Sequence, residues 1–480
     1  MTSAADQDVR RRGARAYALA MIGAQVCALV RYTILARMLG PAELGLIVTL
    51  LLTAQFFDSI TDSGADRFLV QDPKGDEPEV QRLVQLVSAG RGVLTAVALV
   101  LLGQPIAAFY GQPQLATALM ALSLVPLIAG FVHLDLRRQQ RHHDFRSESV
   151  TLLGAEVASL IGTGVAAFVL KNHYAIIFGL VIRSVILVLL SHLTAKRGYS
   201  LGFAKAHARR LFVFGFPLML NGLLLFFGSQ SDRLVIGREL GVEELGRYSS
   251  ILMLIFYPTS TLQRFVSGMF MPLVAAQRRG EGGDAARDLG GFVLLISVLI
   301  VAGFTVVAPF ATVFLFGPAF AHGLLVVALI GVLQTSRFMR IWPVTVALGI
   351  GRSNVVLINN LARLLAVPAG IAAALIFRRL ELILLGFILG ELIALVVGAL
   401  LVNRGMQAPL LLDFDRIGLY VLVCISISSV AGGVEWSLAP LWIAGAVGTA
   451  VASVLLAVRE QKAVRDGAGL LLRFLPLRRS

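Results

Sequence analysis

The chain has 480 residues, of which 57% are hydrophobic and only 15% charged, and its mean hydropathy is +0.82. Soluble domains sit nearer roughly 45–50% apolar with about a quarter charged, so an ordinary water-soluble enzyme is excluded. Its 42 Lys and Arg outnumber 28 Asp and Glu, for a net charge of +14. Those cations are scattered between apolar runs and not gathered in one soluble domain, which excludes a nucleic-acid-binding module.

Taken in chain order, fourteen apolar segments approach the roughly 20 residues that an α-helix needs to cross about 30 Å of hydrocarbon. They lie near 14–38, 44–68, 83–103, 115–135, 148–170, 174–194, 211–236, 244–271, 289–316, 320–347, 353–377, 381–402, 416–432 and 438–458. The fold class they predict is an all-α polytopic membrane protein. The first span follows Arg10, Arg11, Arg12 and Arg15, as a signal peptide does, but continues to Leu39 without a cleavage site and reads as an uncleaved helix. The second carries Asp58 and Asp62 one turn apart, the third Arg91, the fifth Glu156 and the sixth Arg183. In the later spans stand Arg264 (eighth), Arg337 and Arg340 (tenth), Arg363 (eleventh) and Glu391 (twelfth). Beyond residue 402 come two further spans and a basic tail, Arg459–Arg479, which reads equally as a surface-lying or a disordered segment.

The loops alternate in charge. With the N-terminus in the cytoplasm, the outer loops hold only Arg37, Lys171, Arg238, Arg378 and Arg379. Ten arginines stay within spans and the other 27 cations fall on the inner side, as the positive-inside rule requires. Both termini are therefore expected in the cytoplasm. The outer loops are short, with no room for an extramembrane catalytic domain.

Residues 36–45 read ARMLGPAELG and residues 237–246 read GRELGVEELG, identical at six of ten positions. Each copy falls in an outer turn, after spans one and seven. The copies are six helices apart, so the two halves share one orientation and form a parallel repeat. The expected domains are an N-lobe at 1–205, a C-lobe at 206–402, and extra spans with the tail at 403–480. In the turns, Gly40 and Gly241 stop a helix with left-handed backbone angles. Pro41 then opens the next helix, and Glu43 and Glu244 sit in its first turn. Together with Gly45 and Gly246 these are structural residues of the lobe hairpins.

A charged side chain at the bilayer centre costs about 2.5–3.5 kcal/mol on insertion scales, which makes each a functional candidate. The excess here is arginine. Guanidinium stays protonated and presents a planar fork that matches phosphate bidentately. Arg31, Arg91, Arg183, Arg264, Arg337 and Arg363 are therefore the candidates for binding a phosphate-bearing cargo. Asp58 and Asp62 share a helix face and read either as a proton or cation site or as partners for arginines. Glu156 and Glu391 stand where they could neutralise Arg183 or Arg363, and Asp232 could pair with its neighbour Arg233. Arg67, Arg233 and Arg247 lie near span ends, where snorkelling or local pairing accounts for them. Asn221, Gln230, Asn359 and Asn360 fit either sugar contacts or helix packing. Cys27 and Cys424 read as packing residues, and His142 and His143 as solvated loop residues. No cofactor fingerprint, P-loop or metal-ligand spacing is present.

The segments Ile34–Gly45 and Ser231–Ser249 resemble the polysaccharide-transport branch of the multidrug/oligosaccharidyl-lipid/polysaccharide exporter superfamily, which includes O-antigen and exopolysaccharide repeat-unit flippases. The resemblance implies two pseudo-symmetric six-helix bundles forming a V, with alternating access to the two sides. It implies a cargo of undecaprenyl-diphosphate-type lipid-linked oligosaccharide, contact with membrane lipids, and polysaccharide polymerase or assembly proteins as partners. The related lipid II flippases carry a cavity arginine six residues before the turn arginine, and that role falls on Arg31. An acidic residue expected just after the first turn falls on Leu46, against a lipid II cargo. A lipid II flippase, an ion-coupled multidrug exporter and a membrane glycosyltransferase are the rival readings. Without a nucleotide-binding domain, the driving force is an ion gradient, the membrane potential or the cargo's own concentration.

Overall fold

A computed structural model describes residues 4–281, 285–403 and 414–435, and the short stretches 437–438, 440–441, 443–449 and 451. The predicted span 438–458 and the basic tail thus lie largely or wholly outside the described residues. Everything described is helix or connecting turn, with no strand among the described residues. Among the described residues, ten helices are long and apolar enough to cross a membrane. The chain is a multi-pass membrane protein.

The predicted spans and these ten helices differ for physical reasons. Predicted spans one and two are one continuous helical run, Ala16–Thr61, interrupted at Gly40. At 1.5 Å per residue each side of Gly40 reaches about 30 Å or more, enough to cross. The fourth predicted span is a shorter apolar helix, Gln114–Ala129. The eighth is helical, but its middle, with Ser260, Thr261, Gln263 and Arg264, is more polar than the others.

The chain divides into two compact units. The first comprises residues 1–226 and 241–246. Its helices are α1 (Ala4–Thr61), α2 (Ala65–Gln71), α3 (Pro78–Tyr110), α4 (Gln114–Leu122), α5 (Leu124–Ala129), α6 (Asp135–Arg141), α7 (Arg146–Leu170), α8 (Tyr174–Leu193) and most of α9 (Lys205–Glu239). Helices α7 and α8 pack closely because small residues face each other: a Cβ on Gly162 would meet Ile182 at 2.5 Å, and one on Gly179 would overlap Thr163. Such small-residue seams are the usual way for helices to approach in a membrane, where apolar burial gives no drive for association. At the end of the unit bearing the basic loops, Phe68, Leu69, Val80, Leu83, Val84, Leu134 and Leu211 form a compact core.

An ion-pair lattice surrounds that core. Arg141 donates to the backbone carbonyls of Val70 (3.0 Å), Asp72 and Pro73 (3.1 Å) at and just beyond the C-terminus of α2. Arg210 holds the Asp72 carboxylate. Asp76 takes His142 at 2.8 Å and Arg141 at 3.3 Å, while Arg137 bridges Asp66 (3.7 Å) and Glu148 (2.5 Å). The basic residues that read as orientation signals in the sequence therefore also tie the connections of this unit together.

The second unit comprises residues 227–240 and 247–480. It holds the rest of α9 and most of α10 (Val242–Arg278). Then follow α11 (Ala285–Phe316), α12 (Leu324–Met339), α13 (Ile341–Gly349), α14 (Ser353–Arg363), α15 (Ala366–Phe377), α16 (Leu380–Asn403) and α17 (Phe414–Glu435). Tyr420 of α17, fully buried, exchanges hydrogen bonds with the hydroxyls of Thr335 (2.8 Å) and Ser336 (3.0 Å) on α12.

Candidate functional site

Each unit carries its own knot of arginines around a buried glutamate. In the first, α1 brings Arg31 against α7, where it donates to the Glu156 carboxylate (3.0 Å) and the Ser159 hydroxyl (2.7 Å). From α8, Arg183 donates to the other oxygen of Glu156 at 2.5 Å. Two guanidinium groups meet one carboxylate, which leaves one positive charge beyond neutrality. Charge-assisted bonds of this kind hold side chains in one geometry where water is scarce.

The same unit has a second polar group at the end of α1. Arg91 of α3 donates to the Thr61 hydroxyl (3.0 Å), the Asp58 carbonyl (3.0 Å) and the Asp58 carboxylate (2.9 Å). Asp62 accepts from Arg67 (2.7 Å) and from the backbone N–H of Gly64 (3.0 Å). With Ser59 and Asp66 these residues line a polar cavity of about 290 Å³. Three carboxylates and two guanidiniums line it, which makes the lining acidic, and Arg137 reaches Asp66 at 3.7 Å from outside it.

In the second unit, Glu391 of α16 is the hub. It takes Arg363 at 2.7 Å, Arg337 at 3.1 Å and Arg340 at 3.1 Å. Arg337 also reaches Asp232 of α9 at 3.2 Å, and the Tyr248 hydroxyl of α10 donates to that carboxylate at 2.5 Å. Asn359 accepts from Arg340 (3.1 Å) and donates to the Ala394 carbonyl (2.7 Å). Three guanidiniums balanced by two carboxylates again leave one positive charge.

The candidates from the sequence thus fall into sets. Arg31, Arg183 and Glu156 come together, as do Arg337, Arg363 and Glu391. Arg91 joins Asp58, and Asp62 takes Arg67. Arg264 is brought to none of these: it is exposed on the polar middle of α10, with no ion pair or hydrogen bond among the described residues. One expectation is corrected. Asp232 does not pair with Arg233; it serves Arg337 and Tyr248, and Arg233 donates to Gln230 at 3.0 Å. Adjacent residues on a helix point about 100° apart, so neighbours in sequence rarely face each other. Asp232 is also the site residue that sequence reasoning missed. The repeat held the signal: Asp232 stands six residues before Arg238, as Arg31 stands six before Arg37.

The repeated turns are structural. Gly40 and Gly241 both take positive φ, 79° and 93°. With ψ at 177°, Gly40 lies in an extended glycine-only region and not in the left-handed helical one expected of it. Gly45 and Gly246 act reciprocally: a Cβ on Gly45 would overlap the backbone of Val242, and one on Gly246 that of Pro41. Val242 is the repeat equivalent of Pro41, so the two turns clasp each other symmetrically within the first unit. Glu43 accepts from the His173 backbone N–H at 2.6 Å and from its ring at 2.9 Å, fixing the turn to the α7–α8 connection.

Comparison with known proteins places this arrangement. Residues 34–325 match the model of a family described as polysaccharide biosynthesis protein. The chain is 28% identical over 247 residues to the succinoglycan biosynthesis transport protein ExoT of Rhizobium meliloti, covering 51% of this chain and 49% of that one. It is 24% identical over 265 residues to the lipopolysaccharide biosynthesis protein WzxC of Escherichia coli, covering 55% of this chain and 54% of that one. The chain thus spans about half the length of the curated relatives it matches. Among solved structures, the lipid II flippase MurJ in an inward closed conformation superposes with a TM-score of 0.64 at 12% identity, over 93% of this chain and 99% of that one. An inward-facing multidrug resistance MATE transporter superposes at 0.63 with 14% identity, over 83% and 95%. At such identities these two likenesses show the fold alone.

Proposed function

As the chain belongs to the polysaccharide biosynthesis protein family, we propose that it is a flippase, not an enzyme. Its cargo is a lipid diphosphate-linked oligosaccharide, a repeat unit of a surface polysaccharide, moved from the inner to the outer leaflet of a bacterial inner membrane by alternating access. Both chain termini then face the cytoplasm. The observation that carries the reading is the arginine excess: each unit holds a membrane-buried cluster with one guanidinium charge beyond its carboxylates. A diphosphate is the headgroup chemistry that such an excess attracts, and an arginine fork matches it bidentately. A cationic drug meets only repulsion there. The curated relatives named for succinoglycan transport and lipopolysaccharide biosynthesis support the same cargo class.

The residues divide the work. Glu156 and Glu391 hold arginines in place while no cargo is bound, so a guanidinium is oriented before the phosphate arrives. In the first unit Arg31 and Arg183 make phosphate contacts; in the second, Arg264 is the arginine offered to the phosphate. Arg264 has no carboxylate to leave, so its full charge is available to the cargo. The acidic cavity around Asp58 and Asp62 serves ion coupling, with Arg91 and Arg67 as internal counter-charges that a proton or cation would displace.

The test is export in a strain lacking its native repeat-unit flippase. Arg264→Ala, produced at wild-type abundance, should cut surface polysaccharide at least roughly tenfold, the loss expected for one charge-assisted hydrogen bond. Lipid-linked repeat units should accumulate. Normal export by Arg264→Ala at native expression removes that residue from the cargo path. Rescue of a strain depleted of its lipid II flippase would redirect the reading to lipid II.

A further inference from the structure

Helix α9 begins with two faces of opposite character. Ala204, Ala208, Leu211 and Phe214 turn toward the Phe68–Leu83 core of the first unit. Lys205, Arg209, Phe212 and Phe216 follow at spacings of four, three and four, and therefore share the other face. Both cations are exposed, and neither forms an ion pair or hydrogen bond among the described residues. The two phenyl rings are stacked with centroids 5.7 Å apart, and are 66% and 55% exposed.

A third cation and a third ring join this face from outside the helix. The Gly202 N–H bonds to the Arg82 carbonyl at 3.4 Å, and the Arg82 stem lies over Gly202, where a Cβ would sit 3.4 Å from it. Arg82 is exposed and likewise unpaired among the described residues. Phe203, the next residue, is 71% exposed. The nearest acids are engaged elsewhere: Glu77 and Glu79 approach His207 at 3.4 and 4.0 Å, and Asp72 holds Arg210.

The order along the helix identifies the partner. Lys205 and Phe216 are eleven residues apart, about 16 Å of helix. Cations at one end and exposed rings one to three turns further match the profile of a lipid, with phosphate at the interface and acyl chain below it. We propose that Arg82, Lys205 and Arg209, with Phe203, Phe212 and Phe216, form a binding surface for an anionic glycerophospholipid. The three free cations select the headgroup, since each basic residue near an anionic surface contributes roughly fivefold in binding. Phe212 and Phe216 pack along the acyl chain, while Phe203 stands beside the cations at the headgroup end. This surface is separate from the buried arginine knots and does not depend on the cargo assigned to them.

Native mass spectrometry of the full chain, purified in detergent and offered equal amounts of phosphatidylglycerol and phosphatidylcholine, tests it. Wild type should retain phosphatidylglycerol in preference. The variant Arg82→Gln/Lys205→Gln/Arg209→Gln should lose that preference by roughly tenfold or more. The charge-preserving Lys205→Arg/Arg209→Lys should keep it, which excludes misfolding as the cause. Arg352→Gln/Arg378→Gln, two exposed cations of the second unit, should also keep it. The proposal is overturned if wild type shows no preference or if the triple glutamine variant retains it. It is equally overturned if added undecaprenyl diphosphate displaces phosphatidylglycerol from wild type and is itself lost in the triple variant.

Discussion

The two arginine knots occupy equivalent places in a repeated sequence but are built with opposite signs. In the first unit the residue six before the turn arginine is Arg31, and its partner Glu156 is an acid. In the second it is Asp232, and its partner Arg337 is a base. The first knot is small and partly open, with the Arg183 side chain 31% exposed. The second is closed, with Asp232 and Glu391 at 0% and 2%. The lesson is that repeat symmetry preserves the position of an intramembrane charge more faithfully than its sign. Burial then decides its duty. A closed network fixes a fold, because a charge stripped of its partner there costs far more than one near a water-filled surface. A half-open one leaves a guanidinium free to change partners.

The comparison breaks most visibly at Glu391. Glu391→Ala strips buried Arg340 and Arg363 of their carboxylate partner, leaving Arg337 with Asp232, and should destabilise the second unit by about 3–5 kcal/mol. Thermal unfolding in detergent should register a large fall in midpoint or loss of folded protein. Glu156→Ala, in the more open knot, should cost clearly less; equal losses would contradict the distinction. Next in size is the clasp between the turns. Gly246→Val drives a side chain into the Pro41 backbone and should cost about 1–3 kcal/mol, as overpacking does. Gly45→Val should cost a similar amount, because the contact is reciprocal. Unequal effects would show that the clasp is not symmetric.

A sign swap sharpens the contrast further. Arg31→Glu with Glu156→Arg keeps the ion pair and should restore most of the stability lost by Arg31→Glu alone, while export stays impaired. Recovery of export would mean that the pair is structural only. The smallest effect belongs to the ion-pair lattice of the first unit. The Lys196 ammonium, 2.8 Å away, holds the Asp144 carboxyl below its ordinary value of 3.8. Burial alone would raise Asp76, but the His142 hydrogen bond and the Arg141 and Arg138 charges outweigh it and hold that carboxyl down as well. A depressed carboxylate stabilises the folded state above its unfolded pKa, and that contribution is lost as pH falls through the lower folded value. Limited proteolysis of the 72–76 and 142–148 connections should therefore accelerate only below about pH 4.

Much of this was legible in the sequence. Segment length gave the membrane class and most of the helices, because the bilayer sets a length that composition can reveal. The repeat located both turns, and intramembrane rarity singled out Arg31, Arg183, Arg337, Arg363, Glu156 and Glu391. What the sequence left open was pairing. Arg337 and Glu391 are 54 residues apart, and nothing in the local pattern aims one at the other. Asp232 looked like a partner for Arg233 because adjacency is visible in a sequence and helical facing across the membrane is not. The lattice around Asp72 and Asp76 was hidden for another reason: its arginines already had a sufficient explanation as orientation signals.

The central claim is that guanidinium groups carry a lipid diphosphate headgroup across the bilayer. The most direct measurement uses purified chain in sealed vesicles loaded with lipid diphosphate-linked oligosaccharide, following exposure of the sugar to an impermeant lectin. Wild type should expose the inner-leaflet pool, while Arg31→Ala and Arg264→Ala, equally folded and reconstituted, should leave it protected. Equal exposure by wild type and both variants would contradict the account.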